Sequence, residues 1–124
     1  MTADLRVLIV DDDVAVAQLL TEVVQNFGYS AEMVTSGVQA LRAVREFEPR
    51  VVLLDVNMPN IGGGTVLERL RTSTPSPAVI IVTGDTNYEQ AKALLERGAF
   101  DFVTKPVDLA YLKRAIDAAA ATTP

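Results

Sequence analysis

Three short runs in this chain contain only bulky apolar residues: Val7–Val10, Val51–Leu54 and Val79–Val82. A strand with one face in water alternates apolar and polar side chains, so a run with no polar member belongs to a strand covered on both faces. Covering a sheet on both sides within 124 residues requires helices between the strands, and the intervening segments supply them. Val16, Leu19, Leu20, Val23, Val24 and Phe27 recur at helical spacing, as do Leu41, Val44 and Phe47. Each set predicts an apolar stripe facing the sheet. Two further runs, Ser30–Thr35 and Phe100–Thr104, mix apolar with polar positions and are expected at the sheet edges.

Boundary signals agree with this alternation. Ser36 with Gln39 and Thr86 with Glu89 have capping-box spacing, and Asp108 stands where an N-cap is expected. Gly28 and Gly98 suit C-terminal caps, while Pro49 and Pro75 act as stops. Helices expected from Thr65 to Thr72 and from Asp108 to Ala119 complete a (βα)5 pattern. Right-handed crossovers with strands 2 and 5 at the edges select the order 2-1-3-4-5. The fold expected is α/β, a flavodoxin-like doubly wound parallel sheet, with residues 1–124 read as a single domain. Ligands in such a sheet sit beyond the carboxyl ends of the strands, where the order reverses between strands 1 and 3.

Composition excludes several chemistries. The chain has no Cys and no His, which removes disulfides, thiol catalysis, zinc–thiolate sites, imidazole ligands and Ser-His-Asp hydrolysis. No apolar run approaches the roughly 18 residues that span a bilayer, and no charged-then-apolar leader follows Met1. A cytoplasmic protein without a membrane partner is expected. The net charge of −5, with basic residues thinly spread, offers no footprint for nucleic acid, so no direct nucleic-acid contact is expected.

What remains is hard-oxygen chemistry. Asp11, Asp12 and Asp13 leave the first strand, Asp55 closes the third, Thr83 ends the fourth and Lys105 follows the fifth. Neighbouring carboxylates disfavour one another's ionised forms and call for a cation or hydrogen-bond donors nearby. An oxygen-only set suits Mg²⁺, which commonly bridges carboxylate to phosphate. An Asp in such a site can act as nucleophile and form an aspartyl phosphate, with Lys105 pairing with the anion and the Thr83 hydroxyl donating to it. Taken singly, each residue has a simpler reading: Asp12 or Asp13 as helix cap, Asp55 as turn residue, Thr83 as β former, Lys105 as solvated charge. Asp13 keeps the capping role. Convergence of the others on one rim favours the site. The glycines Gly62–Gly64 lack the Lys-Ser/Thr of a phosphate-binding loop and read as a helix entry.

At these residues the chain resembles the receiver domain of bacterial two-component response regulators, over nearly its whole length. The segments that carry the resemblance are "VDD" (Asp11, Asp12), "DVNMPNIGG" (Asp55, Met58, Pro59, Gly63), "VTG" (Thr83) and "GAFDFVTKP" (Phe102, Lys105, Pro106). The resemblance implies that Asp12 ligates Mg²⁺ directly and Asp11 through water. It makes Asp55 both ligand and phosphate acceptor, adds the Asn57 carbonyl as a ligand, and has Thr83 and Lys105 hold the phosphoryl group. Thr83 and Phe102 would form the switch that alters the face of the fourth helix, fifth strand and fifth helix. The Lys105–Pro106 bond would be cis. Gly84 stands where many relatives have Ala, and Asn57 and Asp85 occupy positions that modulate dephosphorylation. The implied donor is a sensor histidine kinase or phosphotransfer protein, and the implied target a downstream protein or fused output domain. The chain would be a signalling switch with slow self-hydrolysis, not a turnover enzyme. Two alternatives stand beside this reading. "IVDDDVA" offers the Asp-x-Asp of haloacid-dehalogenase-like phosphohydrolases, although Ala15 replaces that motif's Thr or Val. The same fold could also serve as an interaction module independent of phosphorylation.

Overall fold

The structure, a computed structural model, describes residues 5–56, 63–84 and 88–122. Strands and helices alternate: β1 (Arg6–Val10), α1 (Val14–Asn26), β2 (Ser30–Val34), α2 (Gly37–Phe47), β3 (Val51–Asp55), α3 (Gly63–Arg71), β4 (Ala78–Thr83), α4 (Tyr88–Glu96), β5 (Asp101–Thr104) and α5 (Leu109–Thr122). All strand pairs are parallel, in the order β2-β1-β3-β4-β5. The expected order is therefore the observed one, with the two mixed-polarity strands at the edges.

The period of two along each central strand sorts its side chains into two core layers. Leu8, Val10, Val52, Leu54, Val79 and Ile81 pack with Ala40, Val44, Val66, Leu67, Leu70 and Leu94 from α2, α3 and α4. Val7, Ile9, Val51, Leu53, Ile80 and Val82 pack with Ala17, Leu20, Val24, Leu112, Ile116 and Ala119 from α1 and α5. Each fully buried aliphatic chain stabilises the fold by about 1.5–3 kcal/mol relative to exposure. These continuous apolar runs thus anchor helices on both faces at once.

Leu19 departs from the expected stripe. It is 61% exposed, whereas Ala17, Leu20 and Val24 are buried. Neighbouring positions on a helix are about 100° apart, so the line through Ala17, Leu20 and Val24 turns Leu19 off the sheet. Leu19 lines an open apolar groove with Val16, Pro106 and Leu109, of about 390 Å³, beside Lys105.

Helix ends follow the capping signals with two adjustments. Asp13, Ser36 and Asp108 accept from backbone N–H groups of the first turns they precede. The Gln39 side chain, however, accepts from the Thr35 N–H at 3.0 Å, so it reaches one residue before the cap of its box. Glu48 closes α2 in the left-handed region at φ 53°. The expected cap at Thr86 lies outside the described residues. α3 starts at Gly63, earlier than expected, because burial of Val66, Leu67 and Leu70 draws two glycines into its first turn. α5 runs on to Thr122, carried by alanines, the best helix formers. The Lys105–Pro106 bond is cis as expected, and so is Thr74–Pro75. No helix among the described residues is long and apolar enough to cross a membrane.

Candidate functional site

Strand register by itself assembles the rim. Val10 pairs with Leu54, which sets Asp11 level with Asp55; Asp55 pairs with Val82, one step before Thr83; and Thr83 pairs with Thr104, one step before Lys105. The chain leaves β1 into α1 on one face of the sheet and leaves β3 toward α3 on the other. A crevice opens between them at the point where strand order reverses.

Asp11, Asp55 and Thr83 are the buried polar residues of the described chain, at 1%, 5% and 0% exposure. Carboxylate oxygens of Asp11, Asp12 and Asp55 lie within 4.8 Å of one another, with Asp12 on the exposed side. The Lys105 ammonium donates to Asp11 Oδ2 at 3.2 Å. Asp11 Oδ1 accepts from the Asp13 N–H at 2.9 Å. The Asp13 side chain is occupied in capping α1 through the N–H groups of Ala15 and Val16, the role expected of it. Among the described residues, one ammonium faces three close carboxylates, an excess of acidic groups at the rim. Hard oxygens at this spacing fit a small divalent cation such as Mg²⁺.

On the other side of Asp55, the Thr83 hydroxyl makes a long bond, 3.3 Å, to the Gly84 carbonyl. The Thr83 carbonyl accepts from the Lys105 N–H at 2.8 Å, which ties these two residues together through the backbone. A Cβ added at Gly84 would meet no atom within 4 Å, so the approach past Thr83 is open. Phe102 is partly buried against the core layer that α2, α3 and α4 cover. Asn57 and Asp85 lie outside the described residues.

One element of the neighbourhood was absent from the sequence reading. The Asp101 carboxylate accepts from the Phe102 N–H at 2.7 Å and from the Tyr111 hydroxyl at 2.5 Å, joining the start of β5 to α5. This hydrogen bond, with partial burial and the nearby negative charge, raises the Tyr111 phenol above its ordinary pKa of 10.0. An Asp and a Tyr ten positions apart carry no motif. Only the fold of α5 back along β5 makes them neighbours.

A family model for the response regulator receiver domain matches residues 7–117. The DNA-binding response regulator MtrA of Mycobacterium tuberculosis (strain ATCC 25618 / H37Rv) is 39% identical over 101 residues, covering 82% of this chain and 44% of that protein. The transcriptional regulatory protein ZraR of Escherichia coli (strain K12) is 35% identical over 124 residues, 99% of this chain and 28% of that protein. The chain thus spans less than half the length of these curated relatives. Among solved structures, a response regulator receiver domain protein from Clostridium thermocellum superimposes with a TM-score of 0.89 at 29% identity, covering 94% of each chain. The receiver domain of NtrX from Brucella abortus does so with a TM-score of 0.87 at 28% identity, covering 94% of this chain and 99% of that one.

Proposed function

Because this chain belongs to the receiver-domain family of two-component response regulators, we propose that Asp55 accepts a phosphoryl group from the phosphohistidine of a partner kinase or phosphotransfer protein. The observation that carries this reading is the convergence on Asp55 of a carboxylate cluster within 4.8 Å on one side and Thr83 with Lys105 on the other. An oxygen of the Asp55 carboxylate forms a bond to phosphorus while the bond from phosphorus to the donor's imidazole nitrogen breaks, its electron pair leaving with the nitrogen. Asp12 directly, Asp11 through water, Asp55 and the Asn57 carbonyl would hold Mg²⁺. When bound, the metal supplies positive charge that offsets the charge of the transferring group. Lys105 exchanges its Asp11 partner for a phosphoryl oxygen, and the Thr83 hydroxyl gives up its long bond to the Gly84 carbonyl and turns to donate to another.

That turn of Thr83 is the signal. It alters the space beside β5 into which Phe102 packs, reshaping the face of α4, β5 and α5 where a target protein or an output domain docks. A single charge-assisted hydrogen bond is worth about 1.5–3 kcal/mol, a bias of roughly ten- to a hundredfold. The chain is in this reading a cytoplasmic switch that hydrolyses its own phosphate slowly, not a turnover enzyme. The net charge of −5 supports protein partners for this unit; any DNA contact of the kind named for its relatives is assigned to other parts of a regulator.

Incubation with Mg²⁺ and acetyl phosphate should yield one acid-labile phosphate that mass spectrometry maps to Asp55, absent in Asp55→Asn. Modification at another residue sinks the assignment. Thr83→Ala should still bind a beryllofluoride mimic yet lose the amide shifts across 100–113 that the wild type shows. A full wild-type shift pattern in the variant would remove Thr83 from the switch.

A further inference from the structure

Resting on the metal reading above, we infer that Asp13 is a positioning residue for the acidic rim, acting through Asp11 and not as a ligand. The Asp13 Oδ1 accepts from the Ala15 N–H at 3.0 Å and the Val16 N–H at 3.2 Å, and the Asp13 carbonyl accepts from the Ala17 N–H at 2.9 Å. These bonds fix the turn between β1 and α1, with Asp13 in extended backbone at φ −82° and ψ 107°. In that fixed turn the Asp13 N–H points back toward the strand, where it donates to Asp11 Oδ1 at 2.9 Å. Asp11 is almost completely buried, so its orientation depends on the few groups that reach it. With Oδ1 held by Asp13, Oδ2 is the oxygen left facing Lys105. Asp12, between the two, is carried by the same turn to the exposed side of the cluster.

The Asp13 carboxylate itself faces the first N–H groups of α1, whose dipole favours negative charge there. What the rim requires from residue 13 is therefore an acceptor that caps the helix, which Asn supplies as well as Asp. Removing the acceptor frees the turn, and the residue-13 N–H no longer holds Asp11 in one orientation. Asp11 then enters a cation complex only after paying back the order that the cap had provided in advance.

The test is a Mg²⁺ titration, without phosphate donor, of wild type, Asp13→Ala, Asp13→Asn and Gln18→Gly, followed by amide shifts and paired with thermal melts. Gln18 is exposed in the middle of α1, so glycine there weakens the helix without touching the turn. Asp13→Ala should weaken Mg²⁺ binding about fivefold, whereas Asp13→Asn should stay within about twofold of wild type. Gln18→Gly should lower the melting temperature and leave binding unchanged. In metal-free protein the residue-13 amide should lose its protection from hydrogen exchange in the Ala variant and keep it in the Asn variant. Wild-type affinity in Asp13→Ala overturns the inference, as does equal weakening in Gln18→Gly, which would make the effect general destabilisation. Equal weakening in Asp13→Asn and Asp13→Ala also overturns it, by assigning the effect to charge. A wild type that binds no Mg²⁺ removes the metal reading itself and this inference with it, an outcome distinct from the other three.

Discussion

Replacing Asp55 by Asn should make the metal-free protein more stable, although it removes a buried residue of the proposed site. The carboxylate oxygens of Asp11, Asp12 and Asp55 lie within 4.8 Å of one another. At that distance a like-charge pair costs about 0.9 kcal/mol in water's dielectric and about 3.5 kcal/mol at an effective dielectric near 20. Asp12 is exposed and Asp11 is already paired with Lys105, so the low end applies to each repulsion that Asp55 makes. Two such repulsions come to about 2 kcal/mol, and the polar contacts the Asp55 carboxylate gives up take back about half, leaving a gain of about 1 kcal/mol. Asn has nearly the same volume and retains a carbonyl oxygen, so packing should change little. For a chain of this length the gain is a rise of about 3–5 °C in Tm. Urea unfolding and thermal melts in EDTA measure it. In Mg²⁺ at ten times the wild-type Kd the wild type gains about 1.4 kcal/mol by mass action while the variant, missing a ligand, gains less. The two should then draw level or exchange order. A variant less stable than wild type in EDTA, or stabilised by Mg²⁺ to the same extent, would refute the account of the rim as a strained anionic cluster.

Three glycines separate backbone strain from steric clash. Gly84→Ala should be neutral or slightly stabilising, since a Cβ there meets nothing and the position is not at positive φ. Gly28→Ala, in open space but at φ +99°, should cost about 1–2 kcal/mol. Gly98→Ala should cost about 1 kcal/mol more than that, because at φ +114° its Cβ would also displace the Arg71 side chain, whose guanidinium donates to the Arg97 carbonyl at 2.6 Å. Equal losses at Gly28 and Gly98 in denaturant unfolding would remove Arg71 from the account. Tyr111→Phe should cost about 0.5–1 kcal/mol at neutral pH, a figure reduced for exposure. A phenol whose folded pKa is raised contributes stability that is fully present below its unfolded value of 10.0 and is lost as pH rises through the higher folded value. The gap between variant and wild type should therefore hold constant up to that range and close above it; a gap that widens with alkaline pH would contradict the Tyr111–Asp101 bond.

Much of this protein is legible in its amino-acid sequence. Short apolar runs rich in β-branched residues and bounded by turn signals fit strands covered on both faces, so Val7–Val10, Val51–Leu54 and Val79–Val82 pointed to a parallel sheet sandwiched by helices. Crossover handedness and the mixed polarity of β2 and β5 then left one strand order. Because side-by-side strands of a parallel sheet end together, the residues at the ends of the three apolar runs had to lie on one rim: Asp11, Asp55 and Thr83 follow from position alone. Asp13 and Asp108 as caps were legible for a similar reason, since their hydrogen bonds are made within one turn of the chain.

What the tertiary structure decided involves choices that local sequence leaves degenerate. An apolar stripe wider than its contact face does not say which residue is turned away, and the line of Ala17, Leu20 and Val24 excluded Leu19 only once α1 lay on the sheet. A cap's side chain announces the helix start, but that the Asp13 N–H holds Asp11 Oδ1 depends on where the turn aims it. Lys105 could have pointed to solvent; its pairing with the buried Asp11 carboxylate fixed it on the rim instead. Asp101 and Tyr111 meet because α5 packs back beside the edge strand. Strand patterns and caps are local or periodic and so can be written in one dimension, whereas the partner of a side chain is set by the three-dimensional packing of elements that the sequence places far apart.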